Sequence, residues 1–328
     1  MACSIAPATP HQMFHHVAAA PHQMMRTPPA APVAAPAPEA VRLSDLDWIC
    51  SLGAGGFASV SKARHRRTGA VFALKMSFDA DADTEEEAQV LRRAAGSPHV
   101  IDCHGLLRGP GREPAFLLEF MDAGSLGRIL CHRQGSGIPE AALAEVAAQC
   151  VVGLAQLHSR GVAHLDVKPD NLLANTRGEI KICDFNSSKI LYGGAGERLQ
   201  VRTAIGTSYY FSPERFAAGA RAGPHGAMAA DVWGLGVTVL ELLLGRYAVF
   251  PDAESVEELK EAICHGEAPR VPEEAEASAE LRGFVAACLQ KDPTRRATVP
   301  QLLGHPFVAR RDVEASRRAL RELIDETL

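Results

Sequence analysis

The spacing of three polar side chains between Val162 and Phe185 constrains this chain more than any other feature. Asp166 is followed by Asn171 five positions later, and a second acid, Asp184, lies thirteen positions beyond that asparagine. One carboxylate can orient an attacking hydroxyl, while an amide and a second carboxylate can hold the metal ions that neutralise a triphosphate. The pattern therefore predicts phosphoryl transfer from ATP, with Lys168 placed to screen charge on the transferred group.

A glycine-rich turn lies between two alternating apolar segments closer to the N-terminus. Its glycines, Gly53, Gly55 and Gly56, would let backbone N–H groups approach phosphates without an intervening Cβ atom. A turn of this kind is common in hairpins and is weak evidence alone. Lys75 follows fifteen residues after Val60 in a Val-x-Ala-x-Lys run, and its ammonium can then reach the α and β phosphates.

A helix is predicted to open at Thr84, and two roles compete for its Glu87. Thr84 is a good N-cap, and Glu87 three residues later could close a capping box. Alternatively, the Glu87 carboxylate could pair with Lys75. The Glu-x-x-Val-Leu-Arg pattern favours this ion pair.

The spacing of Asp166, Asn171 and Asp184 resembles that of the protein kinases, and this resemblance implies that the segment 115–121 is a strand that ends in a turn at the hinge between two lobes. An ordinary core strand is the alternative, but the position midway between Lys75 and Asp166 favours the hinge. The main chain of Glu119 and Met121 would then hydrogen-bond adenine. The predicted nucleotide-binding residues are Leu52, Gly53, Ala54, Gly55, Gly56, Phe57, Ala58, Val60, Ala73, Lys75, Leu118, Glu119, Met121 and Leu173.

Hydrophobic spacing predicts the scaffold around these residues. Residues 46–74 and 99–103 read as strands, and 141–158 reads as a buried helix without chemistry of its own. Another apolar helix is predicted to begin at Asp231, whose carboxylate would brace the loop of Asp166 from below.

The C-terminal part contributes two further expectations. Arg296 is expected to pair with Glu214. Residues 310–328 mix Arg and Glu over an apolar stripe that includes Val313, and such a segment is more often a capping helix than a partner-binding one.

The composition argues against several classes of protein. A net charge of −5 disfavours nucleic acid or an anionic membrane as the main partner. The eight cysteines are scattered without a Cys-x-x-Cys pair, so we expect reduced thiols in a cytoplasmic or nuclear protein and no disulfide framework or zinc site. No apolar run reaches membrane-spanning length, and no basic region followed by an apolar core indicates a secretory signal.

Residues 1–40 are rich in alanine and proline and are predicted to be a disordered tail, because they offer little to bury. A plastid transit peptide is an alternative, although Arg and Ser are sparse for one. A metal site is a third reading, but nothing fixes the geometry of the four histidines of this segment. These histidines are His11, His15, His16 and His22.

Three motifs resemble those of the MAP kinase kinases, most of all the divergent plant members. The turn from Met121 resembles MDGGSL, residues 206–215 resemble GTxxYMSPER, and residues 183–191 are similar too. HLDxxxxN and DFN stand where protein kinases have HRDxxxxN and DFG. The resemblance covers the chain from about Leu46 to Val308.

The resemblance implies a two-lobed α+β kinase fold and Mg-ATP as the phosphoryl source. Its predicted parts are a tail at 1–40, an N-lobe at 46–118, a hinge at 119–125, a C-lobe at 126–308 and a helical tail at 309–328. The implied catalytic residues are Asp166, Lys168, Lys75 and Glu87, and the implied Mg²⁺ ligands are Asn171 and Asp184. The implied substrate is a MAP kinase phosphorylated on Thr and Tyr of its Thr-x-Tyr loop. A MAP kinase kinase kinase would act upstream, and the protein would be a monomer without nucleic-acid or membrane partners.

The chain departs from the family pattern at several positions. Of the two activating phosphosites, the second falls on Thr203 and the first on Glu197, which cannot be phosphorylated. Leu165 replaces the arginine that would hold the phosphothreonine, and Asn186 replaces the glycine of DFG. Ala58 replaces the third glycine of the phosphate loop. Two functions therefore stay open, an active kinase with unusual regulation and a kinase-fold scaffold, and the complete metal-binding set favours the kinase.

Overall fold

A five-stranded antiparallel sheet builds the N-terminal lobe of the computed structural model, in the order β1-β2-β3-β5-β4. The strands are β1 (Leu46–Ala54), β2 (Ala58–His65), β3 (Val71–Ser77), β4 (Cys103–Arg108) and β5 (Pro114–Glu119). Lys75 lies on the central strand β3, between Val60 of β2 and Phe116 of β5. A central position in the sheet fixes the direction of the Lys75 side chain, because both neighbouring strands hold its backbone.

The structure describes residues 41–56, 58–78, 82–109, 113–191, 208–216, 224–247 and 255–328. The predictions for the tail at 1–40, for Phe57 in the phosphate loop and for Glu197 and Thr203 lie outside the described residues.

The strand predicted at 99–103 is wrong, since β4 begins only at Cys103. The segment before it bonds to the other lobe instead. Ile101 N donates to Ile182 O at 2.9 Å, and Ile182 N donates to His99 O at 3.0 Å. The apolar run therefore serves as a connection between the lobes, which a pattern of local hydrophobicity does not distinguish from a strand of the sheet.

Helix α1 (Ala82–Ala94) packs beside the sheet and begins earlier than predicted. Thr84 is its third residue and is not the N-cap. The capping-box alternative for Glu87 is therefore excluded, because Glu87 lies in the second turn of the helix.

The C-terminal lobe is mainly helical, with short strands that carry the loops of the site. The helices are α2 (Leu126–His132), α3 (Glu140–Ser159), α4 (Pro213–Phe216), α5 (Pro224–Leu244), α6 (Val256–His265), α7 (Ala279–Cys288), α8 (Val299–Leu303), α9 (Pro306–Ala309) and α10 (Val313–Asp325). The short strands are β6 (Gly124–Ser125), β7 (Val162–Ala163), β8 (Leu172–Ala174), β9 (Ile180–Ile182) and β10 (Lys189–Ile190). These elements confirm the two-lobed α+β architecture.

Helices α3 and α5 form the centre of this lobe. Both are long and apolar enough to cross a membrane by length and composition, but 72% and 78% of their most apolar windows are buried inside the protein. This degree of burial is typical of core helices. Helix α5 starts at Pro224, so Asp231 lies within the helix and not at its start as predicted.

The C-terminal helix α10 packs against α3. Asp312 caps it by accepting a hydrogen bond from Ala315 N at 3.0 Å. Leu320, Leu323 and Ile324 form the buried stripe, whereas Val313 is 38% exposed and was wrongly included in that stripe.

Candidate active site

Lys75 forms two ion pairs, and the one with Asp184 joins the two lobes. Its Nζ atom lies 2.6 Å from Glu87 Oε1 on α1 and 2.8 Å from Asp184 Oδ1, in the segment that follows β9. Burial would lower the pKa of Lys75, but the two neighbouring carboxylates outweigh it and raise the pKa above its ordinary value. The lysine is therefore a fixed cation, and the predicted pairing with Glu87 is formed.

Asp184 has the backbone and charge state that a metal ligand needs. It adopts the left-handed conformation with φ 64°, which aims its side chain at Lys75. Burial would raise its pKa, but the Lys75 ammonium outweighs this and holds the pKa of Asp184 below its ordinary value. The side chain remains 40% exposed, so an ionised carboxylate is accessible to a cation.

The residues on either side of Asp184 are held by His164, which lies in the loop of Asp166. The His164 ring bonds to Cys183 O through Nε2 at 2.9 Å. It also packs against the buried Phe185 ring in a T-shaped arrangement, with 5.1 Å between the ring centroids. Burial of the Cys183 thiol raises its pKa, so this cysteine is a packing residue and not a reactive thiolate. In this segment Asp184 has the positive φ angle. Asn186, which replaces the glycine of DFG, does not have one.

Asp166, Lys168 and Asn171 form one hydrogen-bonded group. Asp166 Oδ2 accepts from Lys168 Nζ at 2.8 Å and from Asn171 Nδ2 at 2.9 Å. Asn171 Nδ2 also donates to Asp166 O at 2.8 Å. The amide nitrogen is thus committed to Asp166, which leaves the Asn171 carbonyl oxygen as the acceptor that can bind a cation.

Asp231 braces the catalytic loop as predicted, although from the interior of α5. Its carboxylate accepts hydrogen bonds from His164 N at 2.9 Å and Leu165 N at 2.6 Å. It also contacts His158 Nε2 at 2.8 Å. The sequence did not indicate this role for His158, because the pattern of its helix signals only burial.

Leu165 occupies an apolar cluster in place of the arginine of the family motif. The cluster consists of Ala163, Leu165, Ala227 and Ala230, with Leu191 packed against it. Arg215 Nη1 donates to Leu165 O at 2.6 Å, which helps to hold Leu165 at φ 64°. The leucine is therefore a buried packing residue that offers no charge to a phosphate.

The predicted nucleotide-binding residues are distributed over both lobes. Leu52, Gly53, Ala54, Gly55, Gly56, Ala58, Val60 and Ala73 lie on β1–β3 and their turn, Leu118 and Glu119 end β5, Met121 follows, and Leu173 lies on β8. Gly55 N donates to Ala58 O at 2.9 Å and closes the turn. Apart from chain neighbours, no heavy atom of the described residues lies within 4 Å of the Cβ position that a side chain at Gly53, Gly55 or Gly56 would occupy.

Glu119 has its side chain and backbone N–H already engaged. Its N–H donates to Asp102 O at 3.0 Å, and its Oε1 accepts from Lys181 Nζ at 2.5 Å. Any contact of its main chain with adenine must therefore use the carbonyl oxygen. The Glu119–Lys181 pair joins the end of β5 to β9, a link that the sequence did not reveal.

The oxygen atoms around Asp184 fit a magnesium ion. Within the described ranges no group of three or more His, Cys, Asp or Glu side chains could hold a metal. Magnesium, however, is often bound through one or two protein oxygens together with substrate phosphates and waters. The Asp184 carboxylate and the Asn171 carbonyl match that requirement.

A buried ion pair holds the helical lobe together behind the site. Both terminal nitrogens of Arg296 bind Glu214, at 2.6 and 3.0 Å, as the sequence predicted. The same guanidinium donates to the carbonyl oxygens of Gln290 and Ala229 at 2.9 and 2.8 Å. It therefore joins α4 to α5 and to the segment that follows α7.

The amino-acid sequence of this chain is similar to those of a known family and of several known proteins. Residues 48–308 match the protein kinase domain family. The chain is 39% identical to Mitogen-activated protein kinase kinase 9 of Arabidopsis thaliana, over 80% of this chain and 84% of the relative. It is 37% identical to Mitogen-activated protein kinase kinase 7 of the same organism, over 82% and 86%. It is also 31% identical to Dual specificity mitogen-activated protein kinase kinase dSOR1 of Drosophila melanogaster, over 82% and 72%.

Proposed function

This chain is a protein kinase that belongs to the MAP kinase kinases, and we propose that it phosphorylates both Thr and Tyr in the Thr-x-Tyr loop of a MAP kinase, with ATP as donor. The observation that carries this proposal is the double ion pair of Lys75 with Glu87 and Asp184. It brings the phosphate-binding lysine and the metal-binding acid together while Asp166 and Asn171 are already bonded to each other. A protein that only bound partners would not need this arrangement.

The geometry assigns a task to each side chain. Asp166 would orient the substrate hydroxyl and accept its proton as the oxygen attacks the γ-phosphorus and the bond to ADP breaks. Lys168, bonded to Asp166 Oδ2, would screen the charge of the transferred group. Lys75 would hold the α and β phosphates in position. Magnesium held by Asn171 and Asp184 would neutralise the triphosphate.

We also propose an upstream activator, an oligomeric state and a cellular location for the enzyme. A MAP kinase kinase kinase would phosphorylate Thr203, and the enzyme would act as a monomer in the cytoplasm and nucleus. The seven cysteines of the described residues are all free, which suits a reducing compartment.

The enzyme proposal is tested with the full chain, Mg-ATP and a catalytically dead MAP kinase. We expect phosphate on both the Thr and the Tyr of its loop by mass spectrometry, loss of the signal with EDTA, and none with Asp184→Ala. Phosphate on one residue alone would refute dual specificity. A signal no higher than that of Asp184→Ala, even with Thr203→Asp, would refute the enzyme.

A kinase-fold scaffold is the alternative, and the buried Leu165 is the observation that favours it, because it removes the usual reader of an activating phosphate. This alternative predicts binding of the MAP kinase without phosphoryl transfer. The assay above separates the two functions.

A further inference from the structure

A second pocket opens on the C-terminal lobe, away from the catalytic residues. Its volume is about 610 Å³, and it lies between α3, the turn that joins β8 to β9, and the C-terminal helices. We call it the arginine pocket after four of its lining residues, Arg177, Arg311, Arg317 and Arg321. Two acids, Glu145 and Glu179, also line it.

Both acids of the arginine pocket are already neutralised within it. Glu145, whose side chain is 2% exposed, accepts from Arg311 Nε at 2.8 Å and from Gln149 Nε2 at 3.0 Å. Arg317 Nε lies 3.4 Å from the same carboxylate. Glu179 accepts from Arg177 Nη2 at 2.5 Å and Asn175 Nδ2 at 2.6 Å. The carboxylates therefore have little capacity for a ligand cation.

The arginines, in contrast, have donors to spare. Within the part of the chain that the structure describes, the Arg321 side chain makes no hydrogen bond and no ion pair. Arg317 is 53% exposed and uses only Nε. Four guanidinium groups against two paired carboxylates give a positive pocket on a chain with a net charge of −5. A positive pocket on an acidic protein selects an anion.

The turn that joins β8 to β9 lets the Arg321 side chain approach its backbone closely at Gly178. Gly178 has φ +78°, and a Cβ atom there would lie 3.0 Å from Arg321 Cγ. A residue with a side chain would be strained and would push the arginine away. Glycine therefore lets Arg321 lie against the turn at the wall of the pocket.

The other residues that line the arginine pocket indicate a second property of its ligand, an apolar group. Ala148, Val152, Leu303 and Val308 give the pocket an apolar side, opposite in character to the guanidinium groups. Arginine binds phosphate oxygens through two parallel N–H donors. The volume is also larger than a bare phosphate needs and is typical of small-ligand sites. We propose that the arginine pocket binds a phosphate monoester that carries an apolar group, with Arg321 and Arg317 holding the phosphate.

The test is calorimetric titration of the full chain, saturated with Mg and a non-hydrolysable ATP analogue so that the catalytic cleft is blocked. Phenyl phosphate is the probe, and phenol and inorganic phosphate are its comparison ligands. We expect phenyl phosphate to bind more tightly than either. A short phosphotyrosine peptide identifies the source of the ligand, since tighter binding than phenyl phosphate indicates a modified protein and weaker binding a small molecule.

Arg321→Gln is expected to weaken phenyl phosphate binding about tenfold or more. The matched control is Arg318→Gln on the same helix, which removes an exposed arginine outside the pocket and should change the dissociation constant by less than about twofold. If Arg321→Gln lowers the melting temperature, Arg321→Lys keeps the charge without the paired donors and should still weaken binding. The proposal would be overturned if Arg321→Gln and Arg318→Gln bound phenyl phosphate equally well. It would also be overturned if phenol bound as tightly as phenyl phosphate, or if phenyl phosphate did not bind at all.

Discussion

Lys189 on β10 forms an ion pair with Glu86 on α1, one residue before the Glu87 that binds Lys75. The two side chains are only 20% and 29% exposed. The backbone of Lys189 pairs with Ala163 on β7, directly before the catalytic loop. The pair therefore ties α1 to the segment that follows Asp184, and it holds α1 in place without a phosphate group.

Glu86→Gln is predicted to lower kcat/KM toward a MAP kinase about fivefold. The change weakens a partly buried ion pair by about 1 kcal/mol. This pair positions α1, and α1 in turn positions Glu87 for its contact with Lys75. The measurement is initial-rate kinetics on a catalytically dead MAP kinase.

Glu85→Gln on the same helix is the control for Glu86→Gln. Glu85 pairs with Arg92 at 3.1 Å, but both side chains are about 60% exposed, so little activity should be lost. Equal losses in the two variants would show that α1 is not positioned through Lys189.

Restoring the family arginine with Leu165→Arg is predicted to destabilise the fold. It places a charge in the apolar cluster next to Arg215, at a cost of about 3 kcal/mol. Urea unfolding measures the loss, and Leu165→Met should cost less than about 1.5 kcal/mol because it keeps the volume. A stable Leu165→Arg protein would mean that the cluster can open to admit the charge.

Arg296→Lys is predicted to lower the free energy of unfolding by about 3 kcal/mol. Lysine keeps the charge, but it cannot bind both Glu214 oxygens and reach the carbonyl groups that the guanidinium contacts. Chemical denaturation provides the value. Arg295→Lys, at the exposed neighbour, should stay within about 0.5 kcal/mol of the parent, and similar losses from both would contradict the assigned role.

The pairs around Glu145 predict a pH-dependent docking of α10 on α3. Burial would raise the pKa of Glu145, but Arg311, Gln149 and Arg317 outweigh it and hold the pKa below the ordinary 4.5. Because the folded pKa is depressed, this stabilisation is present at neutral pH. It is lost as the pH falls below about 4.5 and through the folded pKa.

Glu145→Gln should cost about 2 kcal/mol at pH 7 and give a shallower fall of melting temperature than the parent shows as the pH drops below about 4.5. Thermal melts across this range provide the comparison, with the exposed Glu322→Gln as control. Parallel pH profiles for Glu145→Gln and the parent would rule out Glu145 as the titrating group.

The sequence predicted the positions of site residues correctly where these residues belong to one motif of fixed spacing. Asp166, Asn171 and Asp184 lie on short segments of one lobe, so their separation along the chain nearly fixes their separation in space. Boundaries were less predictable. The strand expected at 99–103 and the helix expected to begin at Asp231 were wrong, because an apolar segment looks alike whether it joins a sheet, a helix or the other lobe.

The sequence alone determined the residues available for phosphoryl transfer, since motif spacing is a local property of the chain, and its resemblance to a known family implied the two-lobed fold. Only the tertiary structure decided how distant segments meet. It placed Leu165 in an alanine-lined cluster, paired Lys189 with Glu86 across 103 positions, and left Arg321 at the wall of a positive pocket. Such contacts depend on how the helices and strands pack together, and packing is a property of the whole fold that no single segment encodes.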